Sequence, residues 1–153
     1  MSENPYEAPR GSTFDAIGAA SIAPPYKLYQ VNQIGIAAFI GAPIAGCWFM
    51  AKNFTRLGDS ARGIWWLIGG TIATAIAIGI GFVLPENFPS QFIAIGYLVA
   101  LIQLAKSTQG EALAKHKAAG GEFGSWGEVV GMSLLFLIGL LAMIFGAVVV
   151  FVA

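Results

Sequence analysis

Four long hydrophobic runs without a single charge dominate the chain: Ile34 to Ala51, Gly63 to Leu84, Phe88 to Ala105 and Val129 to Ala153. Each is long enough for a helix to cross the ~30 Å of bilayer hydrocarbon at about 1.5 Å per residue. Hydrocarbon offers no partners to backbone polar groups, so helices are the expected form. A β-barrel would show alternating segments of about 10 residues, and these runs are continuous. The third is the weakest, interrupted by Gln91, Gly96 and Gln103. Only Pro85, Glu86 and Asn87 separate the second run from the third, which predicts a tight antiparallel hairpin. The predicted fold is all-α: an integral membrane bundle of four transmembrane helices over residues 34–153, with antiparallel neighbours. Residues 1–33 form a polar N-terminal tail, largely disordered, in which Pro5, Pro9, Pro24 and Pro25 interrupt any long helix. Phe14 to Ala23 reads as disordered or as a short interfacial helix.

Start and stop signals flank the runs. Ser125 followed by Glu128 fits a capping box before the fourth span. Thr108 followed by Glu111 fits another, which would open a short separate helix in the third connection, stopped by Gly120-Gly121. Asp59 or Ser60 can cap the second span.

Composition strengthens the membrane reading. The 153 residues are 57% hydrophobic and 10% charged, against roughly 45–50% and about 25% in soluble domains. A soluble domain of this length has too little interior to hide so much apolar surface. Net charge is zero, which is no footprint for nucleic acid. One cysteine, Cys47, and one histidine, His116, leave no intrachain disulfide and no zinc set. No metal or cofactor is expected. Phosphate-binding loops, His-Glu-x-x-His and nucleophile elbows are missing from the sequence.

The distribution of charge predicts orientation. Lys52, Arg56 and Arg62 lie in the first connection and Lys106, Lys115 and Lys117 in the third, six of the eight basic residues. The positive-inside rule makes connections 52–62 and 106–125 cytoplasmic. With four crossings, both termini then face outward. Trp48, Trp65, Trp66 and Trp126 stand at span ends beside the basic connections and predict one interfacial belt.

Small residues recur four apart, at Ala38, Ala42 and Gly46 and at Gly69, Ala73, Ala77 and Gly81, so each set shares a helix face. Such stripes pack helices closely, either within one chain or between copies. Pro43 removes the backbone bond to Phe39 and predicts a kink, which shapes packing or serves a gate. Ile44-Ala45-Gly46-Cys47 is similar to a lipobox, but Pro43 interrupts the run and Trp48 to Met50 continue it, so Cys47 also reads as a buried thiol. His116, between Lys115 and Lys117, has no recognised catalytic spacing to Glu111 or Glu122. One solvated helix in the connection accounts for all of them. Thr71, Thr74, Tyr97, Gln103 and Ser133 are the polar groups inside the runs. None is ionisable at ordinary pH, whereas pumps and many transporters use intramembrane charges.

The segments Asn4-Pro5-Tyr6-Glu7-Ala8-Pro9, Lys27-Leu28-Tyr29-Gln30, Phe39-Ile40-Gly41-Ala42-Pro43, and His116 with Gly120-Gly121 and Ser125-Trp126 carry a resemblance. The chain resembles small, uncharacterised multi-pass proteins of bacterial inner membranes. That resemblance implies an inner-membrane location and no activity. The expected role is non-catalytic: a structural or accessory subunit whose partners are membrane lipids and other membrane proteins or copies of itself. The alternative is a small channel or facilitator for a neutral solute, with Thr71, Thr74, Tyr97 and Gln103 along its path. An enzyme working through the third connection finds no constellation of nucleophile, base and orienting group.

Overall fold

The computed structural model describes residues 23–85, 87–89 and 91–152. The tail expected to be disordered over 1–22 lies outside them, with most of the Phe14 to Ala23 stretch. Among the described residues the fold is all-α, with four helices: α1 (Val31–Arg56), α2 (Ser60–Val83), α3 (Gln91–Ala118) and α4 (Trp126–Val152). All four are long and apolar enough to cross a membrane, and together they form a membrane bundle.

The bundle is organised around α1. Two-thirds of its most apolar window, 67%, is buried, against 6% to 11% in the other three helices. α1 packs against each of α2, α3 and α4, while those three make no extended interface with one another. The tight α2–α3 hairpin expected from the short connection is therefore absent. A short connection brings helix ends together, but along their lengths α2 and α3 each pack on α1 instead of on each other.

α1 is also not a straight rod. Tyr29, just before it, and Asn53, in its last turn, hold each other: Tyr29 N–H donates to Asn53 Oδ1 at 2.8 Å and Asn53 Nδ2 donates to Tyr29 O at 2.9 Å. A straight helix would separate those positions by about 36 Å. The chain turns back at Gly41 (φ −107°, ψ 22°) and Ala42 (φ 64°, ψ 176°). Pro43 is the local cause: it has no N–H to give and its ring drives the preceding residue out of the helical region. The expected kink is thus a full reversal. Two antiparallel half-helices result, Val31–Ile40 and Pro43–Arg56, about 15 and 21 Å long. They meet through small residues. A Cβ at Gly46 would lie 2.8 Å from the Ala38 Cβ and 3.2 Å from the Ile34 carbonyl oxygen.

Helix ends are closed by recognisable chemistry. After α1, Asp59 N–H reaches Phe54 O at 2.9 Å and Gly58 N–H reaches Thr55 O at 3.2 Å, with Gly58 at φ 89°. After α3, Gly121 N–H reaches His116 O at 2.9 Å and Gly120 N–H reaches Lys117 O at 3.0 Å, with Gly120 at φ 75°. Both are Schellman endings, and the left-handed residue is the glycine each requires. Asp59 caps α2 by accepting from Arg62 N–H at 3.0 Å. Ser125 Oγ accepts from Glu128 N–H at 3.1 Å, as expected before α4. The separate helix expected after Thr108 does not exist. Thr108 sits inside a continuous α3, its hydroxyl bonded to Leu104 O at 2.6 Å.

Candidate functional site

Both ends of the α1 hairpin open at one end of the molecule, the mouth. Polar side chains that hydropathy assigned to connections converge there. Asn53 Nδ2 also donates to Gln109 Oε1 at 2.9 Å, and Gln109 Nε2 donates to Met50 O at 2.9 Å. Gln33 Nε2 donates to Gly124 O, and its carbonyl accepts from Gln30 N–H at 2.8 Å. Gln33, Asn53 and Gln109 are all buried. Buried amides are costly unless satisfied, and here each is.

A charged layer covers this core. Tyr29 donates to the Glu128 carboxylate, and Lys52 Nζ reaches Glu128 at 3.0 Å and the Tyr29 hydroxyl at 3.1 Å. The Lys52 ammonium also stands 4.6 Å from the Trp48 ring centre, within cation–π range. Arg56 donates to Lys27 O and lies over the Tyr29 ring. The segment before α1 clasps the α3–α4 connection. Leu28 N–H donates to Glu122 O at 3.2 Å, Gly124 N–H donates to Leu28 O at 2.9 Å, and Lys27 pairs with Glu122 at 2.9 Å. The hydrogen-bonded ion pair holds Glu122 below and Lys27 above their ordinary pKa values.

Residues 27–30 therefore sit beside both basic connections. The two ends of α1 lie side by side, because the reversal brings Tyr29 back to Asn53. The expected tail boundary moves too, because Leu28 and Tyr29 are fully buried and helix begins at Val31.

His116 is buried rather than solvated. Its ring stacks on Tyr26 at 5.4 Å and meets Phe123 edge-on at 5.5 Å. Nε2 lies 2.9 Å from Glu122 O, an acceptor only, so that nitrogen carries the proton; Nδ1 has no partner among the described residues. A ring packed between two aromatics and closing a helix end is a structural plug. No group of three His, Cys, Asp or Glu among the described residues is placed to hold a metal ion.

At the tip of the hairpin, α2 completes the broken backbone. Ile44 N–H, freed by the break, donates to Thr74 Oγ1 at 2.9 Å, and the Thr74 hydroxyl donates to Gly70 O at 2.8 Å. α2 approaches this closely through glycine. A Cβ at Gly70 would overlap Cys47 and lie 3.3 Å from Ile44 Cα; one at Gly63 would lie 2.9 Å from Ala51 O. Cys47 is thus buried against α2. Below the tip, an apolar crevice of about 510 Å³ opens between α2 and α4, its walls including Thr71, Thr74, Phe136 and Met143.

Ala38 and Gly46 join the two half-helices, and Ala42 is the reversal itself. Gly69 and Gly81 meet nothing within 4 Å, Ala73 is exposed and Ala77 half-buried. That stripe faces away from the rest of the chain, and Gly63, Gly70 and Thr74 make the α2 contact instead. Of the tryptophans, Trp48 and Trp66 pack on Phe49 and Phe54, while Trp65 and Trp126 are exposed, all in the mouth half. Thr71 and Thr74 share the crevice, but Tyr97 packs α3 against the core and Gln103 is exposed. The four expected path residues are not brought together.

Sequence reasoning missed Gln33, Asn53, Gln109, Gly63 and Gly70. One signal was present. Leu101, Ala105, Gln109, Leu113 and His116 recur three or four apart, so one helix face runs straight through the charge at Lys106.

The molecule belongs to the class of all-α membrane bundles, built on a reversed central helix. No protein-family model, curated protein or solved structure matches the chain.

Proposed function

We propose that the protein is a non-catalytic accessory or scaffold subunit of a cell membrane, a bacterial inner membrane by the resemblance above. The observation that carries this reading is how the polar groups are used. The buried amides and the charged layer at the mouth are spent on closing the hairpin. Long stretches of α2, α3 and α4 meanwhile leave large apolar side chains exposed among the described residues, such as Phe82, Phe92 and Phe145. Surfaces of that kind match lipid or another membrane helix. The neutral-solute channel is the weaker reading, because Thr71, Thr74, Tyr97 and Gln103 share no path.

The hairpin dips from the cytoplasmic face and returns to it, and α2, α3 and α4 cross. On this topology Lys27, Lys52, Arg56, Arg62, Lys106, Lys115 and Lys117 share the cytoplasmic half, which agrees with the positive-inside rule better than a four-crossing path does. The end of α4 lies outside. Non-helical backbone at membrane depth is tolerated when protein buries it. Gly41 meets that condition, with a Cβ there lying 2.7 Å from Ser133 O of α4.

Two measurements test the reading. Purification in mild detergent should recover the chain with a membrane partner or a second copy; a reproducibly solitary monomer would refute the scaffold role. Cysteines placed at Lys27 and Arg62 should label from the cytoplasmic side together. Labelling from opposite sides would sink the dipping hairpin.

A further inference from the structure

A second groove, about 350 Å³, lies at the mouth between the returning half of α1 and the start of α2; it is lined by Trp48, Lys52, Arg56, Ile64 and Leu67 among others. The larger crevice lies further along the same face of α2. Ile64, Leu67, Thr71, Ala75 and Ile78 line the two along α2, and steps of three and four keep them on one helix face. Trp48 stands between the two, forming part of the upper wall while its ring meets Phe136 of the lower wall at 5.9 Å. Taken in line along α2, the pair is cationic at the mouth and apolar below.

Charge at the mouth is not balanced. Lys52 is paired with Glu128. Arg56 contacts a backbone carbonyl and the Tyr29 ring and pairs with no carboxylate among the described residues. A guanidinium beside a lysine at headgroup depth suits a phosphate diester, and the apolar length below suits an acyl chain.

We infer that this groove holds one acidic phospholipid. Its phosphate lies against Arg56 and Lys52, and one acyl chain runs along α2 into the crevice beneath the hairpin tip. The inference rests on the membrane reading above and adds a specific ligand to it. An acyl chain there fills space beside the Ile44–Thr74 bond and shields it, so the lipid acts as a wedge that supports the reversal.

The test uses the full chain reconstituted in vesicles of equal phosphatidylglycerol and phosphatidylcholine, then extracted in mild detergent. Native mass spectrometry reads the retained lipid. Phosphatidylglycerol should be retained about fivefold over phosphatidylcholine, the advantage of one uncompensated cation near the surface. Arg56→Gln should bring the two to parity. Ala75→Trp, on an exposed wall of the crevice, should lower retention of both. Equal retention by the unaltered chain, or an unchanged preference in folded Arg56→Gln, overturns the headgroup site. Full retention in Ala75→Trp overturns the acyl path. Should Arg56→Gln fail to fold, the lipid comparison in the unaltered chain and Ala75→Trp still decide. A chain that never enters the vesicles refutes the membrane reading itself, whereas one that enters without preference refutes this site alone.

Discussion

The mouth half and the far half of this molecule use the same helices and are built differently. At the mouth, α1 doubles back between α2, α3 and α4, and amides and ion pairs join its two ends to each other and to α3 and α4. At the far half, the same three helices run on without α1 between them. There Phe82 is 76% exposed and Phe145 71%. In water such exposure would cost a great deal; in hydrocarbon it costs almost nothing, because lipid is as apolar as the side chain. Fold stability is therefore concentrated where protein replaces lipid, and the far half is available for whatever the membrane supplies.

The sharpest way to break that contrast is at Asn53. Asn53→Leu strands the Tyr29 backbone and the Gln109 amide, and each stranded buried group costs roughly 1–3 kcal/mol. A loss of about 3–5 kcal/mol in unfolding free energy is expected, read by denaturant titration in mild detergent. Phe82→Ala in the far half should change stability by less than about 0.5 kcal/mol. Equal losses would mean that the far half is packed as well, against a second copy.

Two adjacent glycines make a finer comparison. Gly70→Val forces atoms into Cys47 and the α1 backbone and should cost about 2–3 kcal/mol. Gly69→Ala, one residue away on the open face, should be neutral or slightly stabilising through helix propensity. Thermal midpoints of the two variants check this directly, and a costly Gly69→Ala would place a partner on that face.

The reversal itself can be relaxed. Ala42 has φ 64° and ψ 176°, a region essentially reserved for glycine. Ala42→Gly should stabilise the chain by about 1 kcal/mol, less the entropy glycine adds to the unfolded state. A destabilised variant would show that the methyl group has a packing role that outweighs the strain.

The smallest effect belongs to the Lys27–Glu122 clasp, which is exposed. Glu122 has its pKa lowered, so its contribution holds above the ordinary carboxylate range and disappears as pH falls through the lowered value. Lys27 has its pKa raised, so its contribution holds below the ordinary lysine range and disappears as pH rises through the raised value. Lys27→Met should therefore lower the melting midpoint slightly and evenly across neutral pH, with the difference vanishing at both extremes. A difference confined to neutral pH, with sharp edges there, would point to another titrating group.

Much of this was legible beforehand. Charge-free runs marked all four helices, because leaving water for hydrocarbon requires apolar side chains whatever the path. Ser125, Asp59 and Gly120 marked helix ends, because caps are local chemistry. The end of α3 was misplaced because Lys106 was treated as a boundary. A charged side chain on an exposed face does not stop a helix, and the four-residue spacing from Leu101 to His116 continued past it. The candidate groove was only half visible, since its cations and its apolar face lie on separate helices.

What the amino-acid sequence determined alone is the solvent and the elements: hydropathy measures transfer out of water, and capping is settled within a few residues. Only the tertiary structure decided that α1 turns back, that residues 27–30 and both basic connections share one end, and that Asn53 and Gln109 are buried. Pro43 permits a reversal as readily as a kink. The choice between them rests on Tyr29 meeting Asn53 and Thr74 meeting Ile44, pairs separated by dozens of residues, whose energies no local pattern contains.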